Sequence, residues 1–159
     1  MKIAMLTGAS GGVARALASI LRQRGWQLAL VSRDVSRVDA ETGDALVQAD
    51  VSSPGGAEAA MSLVREQIGR VPDALVNCAG STLIAPLGRV SADQFRQCMV
   101  ANVDTAFFSV QAYTRALYEQ QRSGSIVLFS SVVAGTCVSN HAAIAAAEGA
   151  VEALVRSVA

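Results

Sequence analysis

The stretch Thr7-Gly8-Ala9-Ser10-Gly11-Gly12-Val13-Ala14 (TGASGGVA) decides the fold. It follows a short apolar run, Lys2–Leu6, that reads as a buried strand. It opens an amphipathic run, about Gly12–Arg24, that reads as a helix stopped by Gly25. Glycines let a backbone turn sharply and let a ligand approach where a Cβ would stand in the way. A helix that starts at such a turn offers free N–H groups and a positive dipole end to a phosphate. Ala14 stands where a third glycine is often found, and its small side chain still allows close packing of helix on strand. Strand, glycine turn and helix in this order point to a dinucleotide held by Gly8, Ser10, Gly12 and Val13. A tight turn without a ligand is the plainer alternative.

Outward from this turn the chain alternates apolar and amphipathic runs. Further strands are expected at Gln27–Ser32, Ala45–Ala49, Ala74–Asn77 and Ser125–Phe129. Helices are expected at Pro54–Arg70, at Ala92–Gln120 with Ser91 as N-cap, and at about 140–159, with a short one possible at Ser36–Glu41. Such alternation implies an α/β fold: a doubly wound parallel sheet with helices on both faces (Rossmann-like), as a single domain over residues 1–159.

The edge of that sheet carries further candidates. An acid at the end of the second strand would hold the ribose 2′-hydroxyl of NAD. This chain has Ser32-Arg33 there, which suits the additional phosphate of NADP, since arginine makes charge-assisted bonds to phosphate. NAD stays open, as does an Arg33 that is merely solvated. Asp50, after the third strand, could accept a bond from an adenine amino group or could cap the next helix.

Composition narrows the partners. Lys plus Arg equals Asp plus Glu at 13 each, which argues against a nucleic-acid surface and lends no support to electrostatic membrane binding. No apolar run is long enough to span a bilayer. The chain is 52% hydrophobic and 16% charged, so a buried subunit interface is expected. Cys78, Cys98 and Cys137 are widely spaced, with no zinc pattern, and suggest reduced thiols in a cytoplasmic protein without a metal.

With these residues in view, the chain resembles the short-chain dehydrogenase/reductase family. Thr7-Gly8-x3-Gly12-x-Ala14 resembles its cofactor loop, and Asp50-Val51 its adenine contact. Asn77-Cys78-Ala79-Gly80 is similar to its NNAG motif, with Cys for the second Asn. Asn102, in VANVDTAFF, falls on its structural and catalytic Asn, and Ser131 on its catalytic Ser. The resemblance implies cofactor contacts at Gly8, Ser10, Gly12, Val13, Ser32, Arg33, Asp50, Val51, Asn77, Ala79 and Gly80. It implies an NAD(P)-dependent oxidoreductase acting on a carbonyl or alcohol.

The family then expects a Tyr about a dozen residues past the Ser, and a Lys four beyond it. In HAAIAAAEGAVE (residues 141–152) those places hold Ile144 and Glu148. Tyr113 and Tyr118, on the preceding helix, are poor substitutes. In the family's mechanism the Tyr moves a proton at the substrate oxygen and the Lys lowers its pKa. Ile144 can do neither, and Glu148 brings the opposite charge. His141 lies one turn before Ile144, as an alternative acid or base or as a residue capping the helix. Ser131 likewise either polarises a substrate or simply starts a turn. Two functions therefore stay open: an oxidoreductase with a non-standard site, and a catalytically inactive nucleotide-binding relative with a regulatory or scaffold role. The family also continues with a strand, a substrate lid and a last strand, so the sequence is expected to be part of a longer fold rather than a reduced relative. A homodimer or homotetramer through 92–120 and 140–159 is expected as well.

Overall fold

The computed structural model describes residues 1–158. Five strands, β1 (Ile3–Thr7), β2 (Gln27–Ser32), β3 (Ala45–Gln48), β4 (Ala74–Asn77) and β5 (Ser125–Leu128), form one sheet. They run parallel in the order β3-β2-β1-β4-β5. The order reverses between β1 and β4, and at such a switch point the strand ends part to leave a crevice.

Side chains alternate across the sheet, as a strand period of two requires. Met5 of β1, with Ala29 and Val31 of β2, packs under α2 (Pro54–Ile68) and α4 (Thr105–Glu119). Ala4 and Leu6, with Leu28 and Leu30, pack under α1 (Gly12–Gln23) on the other face. The fold is thus the doubly wound α/β sheet that the sequence pattern predicts. A third, smaller cluster joins α5 (Ala142–Val158) to α3 (Ala92–Met99) through Ala143, Ile144, Ala147 and Cys98.

Helix α1 ends as Gly25 predicts. Gly25 has φ +75°, its N–H bonds Arg22 O at 2.9 Å, and Trp26 N–H bonds Leu21 O at 3.0 Å. This pair of bonds closes the last turn around a left-handed residue.

Two expectations need correction. The short helix expected at Ser36–Glu41 is only a 3₁₀ turn at Val35–Arg37. Asp34 accepts bonds from the N–H and hydroxyl of Ser36, and Arg22 pins the following loop through Asp39 O and Asp44, so side chains take the place of a continuing helix. The single helix expected over Ala92–Gln120 is α3 and α4 separated by a π turn at Val100–Asp104. Asn102 Nδ2 takes the Cys98 carbonyl at 2.8 Å and Thr105 Oγ1 takes Ala101 O at 2.9 Å. Side chains thereby occupy carbonyls along the helix ladder, the kind of competition that widens a turn.

Candidate cofactor cleft and reaction end

The crevice holds a cleft of about 570 Å³, lined from the carboxyl ends of four strands. Gly8, Ser10 and Gly11 come from the turn after β1, Ser32 and Arg33 from β2, Asp50 and Val51 from the end of β3, and Cys78 to Ser81 from β4. Gly8 is fixed by its surroundings. Its φ is +65°, and a Cβ would lie 2.5 Å from Ala79 N, so only glycine lets the turn after β1 meet the end of β4. Thr7 Oγ1 donates to Asn77 Oδ1 and ties the same two strand ends together.

The start of α1 leaves its first donors free. Gly11 is the N-cap, and no side chain caps the helix. The N–H groups of Gly12, Val13 and Ala14 find no acceptor among the described residues. A Cβ on Gly12 would meet nothing within 4 Å, so space is open beside this first turn. Uncapped donors and a helix dipole beside open space fit the pyrophosphate of a dinucleotide.

The far end of the cleft has a distinct chemistry. Ser32 is buried, with its hydroxyl 3.2 Å from that of Ser10 and 3.0 Å from Asp34 O. The Asp34 carboxylate is turned onto Ser36 and does not line the cleft. Arg33 is exposed, and among the described residues no carboxylate lies within ion-pair reach of it. Hydrogen bonds from Ser52, aided by the charge of Arg33, hold the Asp50 carboxyl below its ordinary range. The cap of α2 is Ser53, not Asp50, so the capping alternative for Asp50 falls away. Arg96, Gln97 and Val100 also line the cleft. They sit on the opposite wall, and only the packing of α3 and the π turn against the strand ends reveals them.

A second hollow of about 330 Å³ adjoins the first and shares Cys78, Ala79, Gly80 and Ser81 with it. Val13, Asn77, Asn102, Phe129, Ser130 and Glu148 complete its lining. Asn102 is buried and holds the wall in place: its Oδ1 accepts from Ser81 N–H at 3.0 Å and lies 2.8 Å from where a Cβ of Gly80 would be. Burial first, and Glu152 one turn on, push the Glu148 carboxyl above its ordinary value. Burial also raises the Cys78 thiol to about 11. Among the described residues no group of His, Cys, Asp or Glu side chains is placed to hold a metal ion, and no helix is long and apolar enough to cross a membrane.

The expected catalytic residues separate here. Asn102 lies in the hollow, whereas Ser131 does not line it: Ser131 Oγ accepts from Val133 N–H at 3.4 Å and caps the 3₁₀ turn Val132–Ala134. Ser130, its neighbour, lines the hollow and donates to Glu152 Oε1 at 2.9 Å. His141 is not brought to the site. Its carbonyl accepts the first bond of α5 from Ala145, and its Nδ1 is 2.6 Å from Ser139 O. Ile144 is 4% exposed within the apolar cluster of α3 and α5, where it fills core. Tyr113 is buried and donates to Pro72 O at 3.0 Å, while Tyr118 is 86% exposed, so neither supplies the missing phenol.

A parallel sheet with this strand order, an uncapped glycine turn at its switch point and a cleft along its carboxyl edge define a doubly wound dinucleotide-binding fold. The chain belongs to the short chain dehydrogenase family, whose model matches residues 2–159. It is 29% identical to the uncharacterized oxidoreductase YohF of Escherichia coli, over 99% of this chain and 66% of that protein. It is 30% identical to the 3-oxoacyl-(acyl-carrier-protein) reductase FabG of Salmonella typhimurium, over 99% of this chain and 66% of that protein. A short-chain dehydrogenase from Streptomyces avermitilis has the same fold, with a TM-score of 0.89 at 24% identity, over 99% of this chain and 59% of the other. The chain therefore spans about two thirds of the length of these curated relatives.

Proposed function

We propose that the chain is the cofactor-binding part of an NADP-dependent oxidoreductase of the short-chain type, acting on a small carbonyl or alcohol substrate. The observation that carries this reading is the uncapped start of α1 facing the same cleft as the unpaired Arg33. The N–H groups of Gly12, Val13 and Ala14 would take the pyrophosphate. Arg33 and Ser32 would take the ribose phosphate, and Asp50 and Val51 the adenine. NAD is the second choice, because nothing in the cleft would repel it. When bound, the dinucleotide would supply or accept hydride.

The residues at the reaction end would orient rather than protonate. Asn77 ties the end of β4 to β1 through Thr7, Asn102 holds the loop after β4 to the π turn through Ser81, and Ala79 and Gly80 line the hollow. Ser130, or Ser131 after a rotation of the loop, would contact the substrate oxygen. With Ile144 in the core, the proton would come from solvent or from the substrate, without the roughly 10²–10⁴-fold aid of a placed acid. That same burial favours a second reading, a catalytically inactive nucleotide-binding relative with a regulatory or scaffold role. The test is NADPH oxidation by the purified protein with a broad panel of aldehydes and ketones. Slow, saturable turnover with at least one of them supports the oxidoreductase; tight NADPH binding with no turnover supports the inactive relative.

A cytoplasmic homodimer or homotetramer through 92–120 and 140–159 completes the proposal. Its support is the apolar surface on these helices, with Phe95, Phe107, Val155 and Val158 all more than 40% exposed. Sedimentation of the purified protein as a monomer at micromolar concentration would remove it.

A further inference from the structure

The hollow beside the cofactor cleft carries one charged side chain, Glu148, and no cation. Resting on the NADP reading above, we propose that Glu148 makes this end of the site discriminate between the two redox states of the cofactor, holding NADP⁺ more tightly than NADPH.

The geometry fixes which half of a dinucleotide lies there. Arg33 and Asp50 line the large cleft, and the uncapped start of α1 borders both cavities, with Gly11 in the cleft and Val13 in the hollow. A molecule held at both points extends its other half past Cys78 to Ser81, the residues shared by the two cavities, into the hollow. That half is the nicotinamide riboside. Val13, Phe129 and the Ala79-Gly80 backbone give it apolar and flat surfaces, and Glu148 gives it a carboxylate.

The carboxylate is not neutralised from elsewhere. Among the described residues Glu148 forms no ion pair and no hydrogen bond. The next acid on the same face, Glu152, accepts from Ser130 and meets Arg156 only at 4.0 Å, so Arg156 serves Glu152 and leaves Glu148 alone. Half-burial weakens the screening of Glu148 by water. The oxidised nicotinamide ring bears a positive charge, and the reduced ring bears none. Every other part of the two molecules is the same, so its contacts cancel in the ratio of their affinities. What remains is attraction between Glu148 and the oxidised ring, worth roughly tenfold in affinity across several ångströms of partly wet protein. A tenfold ratio lowers the potential of the bound two-electron couple by about 30 mV. The charge that favours NADP⁺ thereby makes bound NADPH a stronger hydride donor.

The test needs no substrate. The purified chain, Glu148→Gln and Glu148→Lys are titrated calorimetrically with NADP⁺, NADPH and 2′,5′-ADP, which carries the adenine end alone. The expected result is a dissociation constant for NADP⁺ roughly tenfold below that for NADPH in the parent chain. The ratio should fall to within about twofold in Glu148→Gln and reverse in Glu148→Lys. Binding of 2′,5′-ADP should be unchanged in both, which also reports that each variant is folded; either variant suffices. A parent ratio of one or less, or a ratio retained in the variants, overturns the inference while leaving NADP binding in place. Failure of the parent chain to bind 2′,5′-ADP overturns the NADP reading, and the inference with it.

Discussion

The two ends of the crevice differ in how their residues are placed. At the β1–β3 end, Gly8, Ser10, Ser32, Arg33, Asp50 and Val51 converge on one cleft. At the β4–β5 end, the family positions on α5 part company: Ile144 turns into the core and Glu148 faces the hollow. The first set lies on strand ends and their turns, where the sheet register dictates direction. The second lies on a helix that packs against α3, where two residues one turn apart on a similar face divide between core and hollow. The candidate contacts for the adenine half and the positions at which the family places its Tyr and Lys therefore lie on separate elements, so a change on α5 can be made without touching the β1–β3 rim.

The largest test of this separation is Gly8→Val. A side chain at φ +65°, driven against the Ala79 backbone, must displace the end of β4. NADPH affinity should fall by on the order of 100-fold or more, since first-turn donors and wall move together. Titration alongside circular dichroism measures both binding and folding. Retained binding would mean that the turn does not hold the ligand.

Arg33→Ala should sharpen the comparison. Losing one charge-assisted contact to phosphate should weaken NADPH by roughly 10- to 100-fold and leave NADH within about twofold. Equal losses for both cofactors would place Arg33 elsewhere than on the ribose phosphate.

A change at the opposite edge of the sheet should affect neither end. Asp73, just before β4, accepts from Ile3 N–H at 2.8 Å, from Arg70 at 2.7 Å and from Arg122 at 2.8 Å. The hydrogen bonds from Arg70 first, then the Ile3 N–H and the charge of Arg122, hold its carboxyl far below the usual range. Asp73→Asn should cost about 2 kcal/mol, or roughly 4–8 °C in Tm, with cofactor affinity unchanged. Because the folded pKa is depressed, this stabilisation is present above the unfolded value near ~3.9 and fades as pH falls below it. The difference in Tm between parent and variant should therefore narrow below about pH 4.

The smallest effect is expected at His141. Its ring is turned to Ser139 O outside both cavities, so His141→Ala should leave cofactor affinity and any turnover within about twofold. A loss of tenfold or more in turnover alone would return His141 to the chemistry.

Much of this was legible in the sequence, for a physical reason. Continuous apolar strands such as Gln27–Ser32 and glycine stops such as Gly25 set the sheet and its helices by local pattern alone. The convergence of Gly8, Ser10, Ser32, Arg33, Asp50 and Val51 on one cleft followed, because residues just past the strand ends must lie along one rim. Less legible were features decided by side-chain competition or by a single step in register. At the π turn Asn102 and Thr105 claim helix carbonyls, and their place within the apolar stretch Cys98–Phe108 was its one signal. Ser130 rather than Ser131 lines the hollow because adjacent residues of an extended chain face opposite ways. Arg96 reaches the cleft only through tertiary packing, which no local pattern announces.

The central claim, that the glycine turn and Arg33 form one NADP site, is tested most directly by titrating the purified chain with NADPH and NADH in parallel. The account predicts saturable binding of both, with NADPH tighter by roughly tenfold or more. No binding of either, or NADH bound as tightly as NADPH, would contradict it.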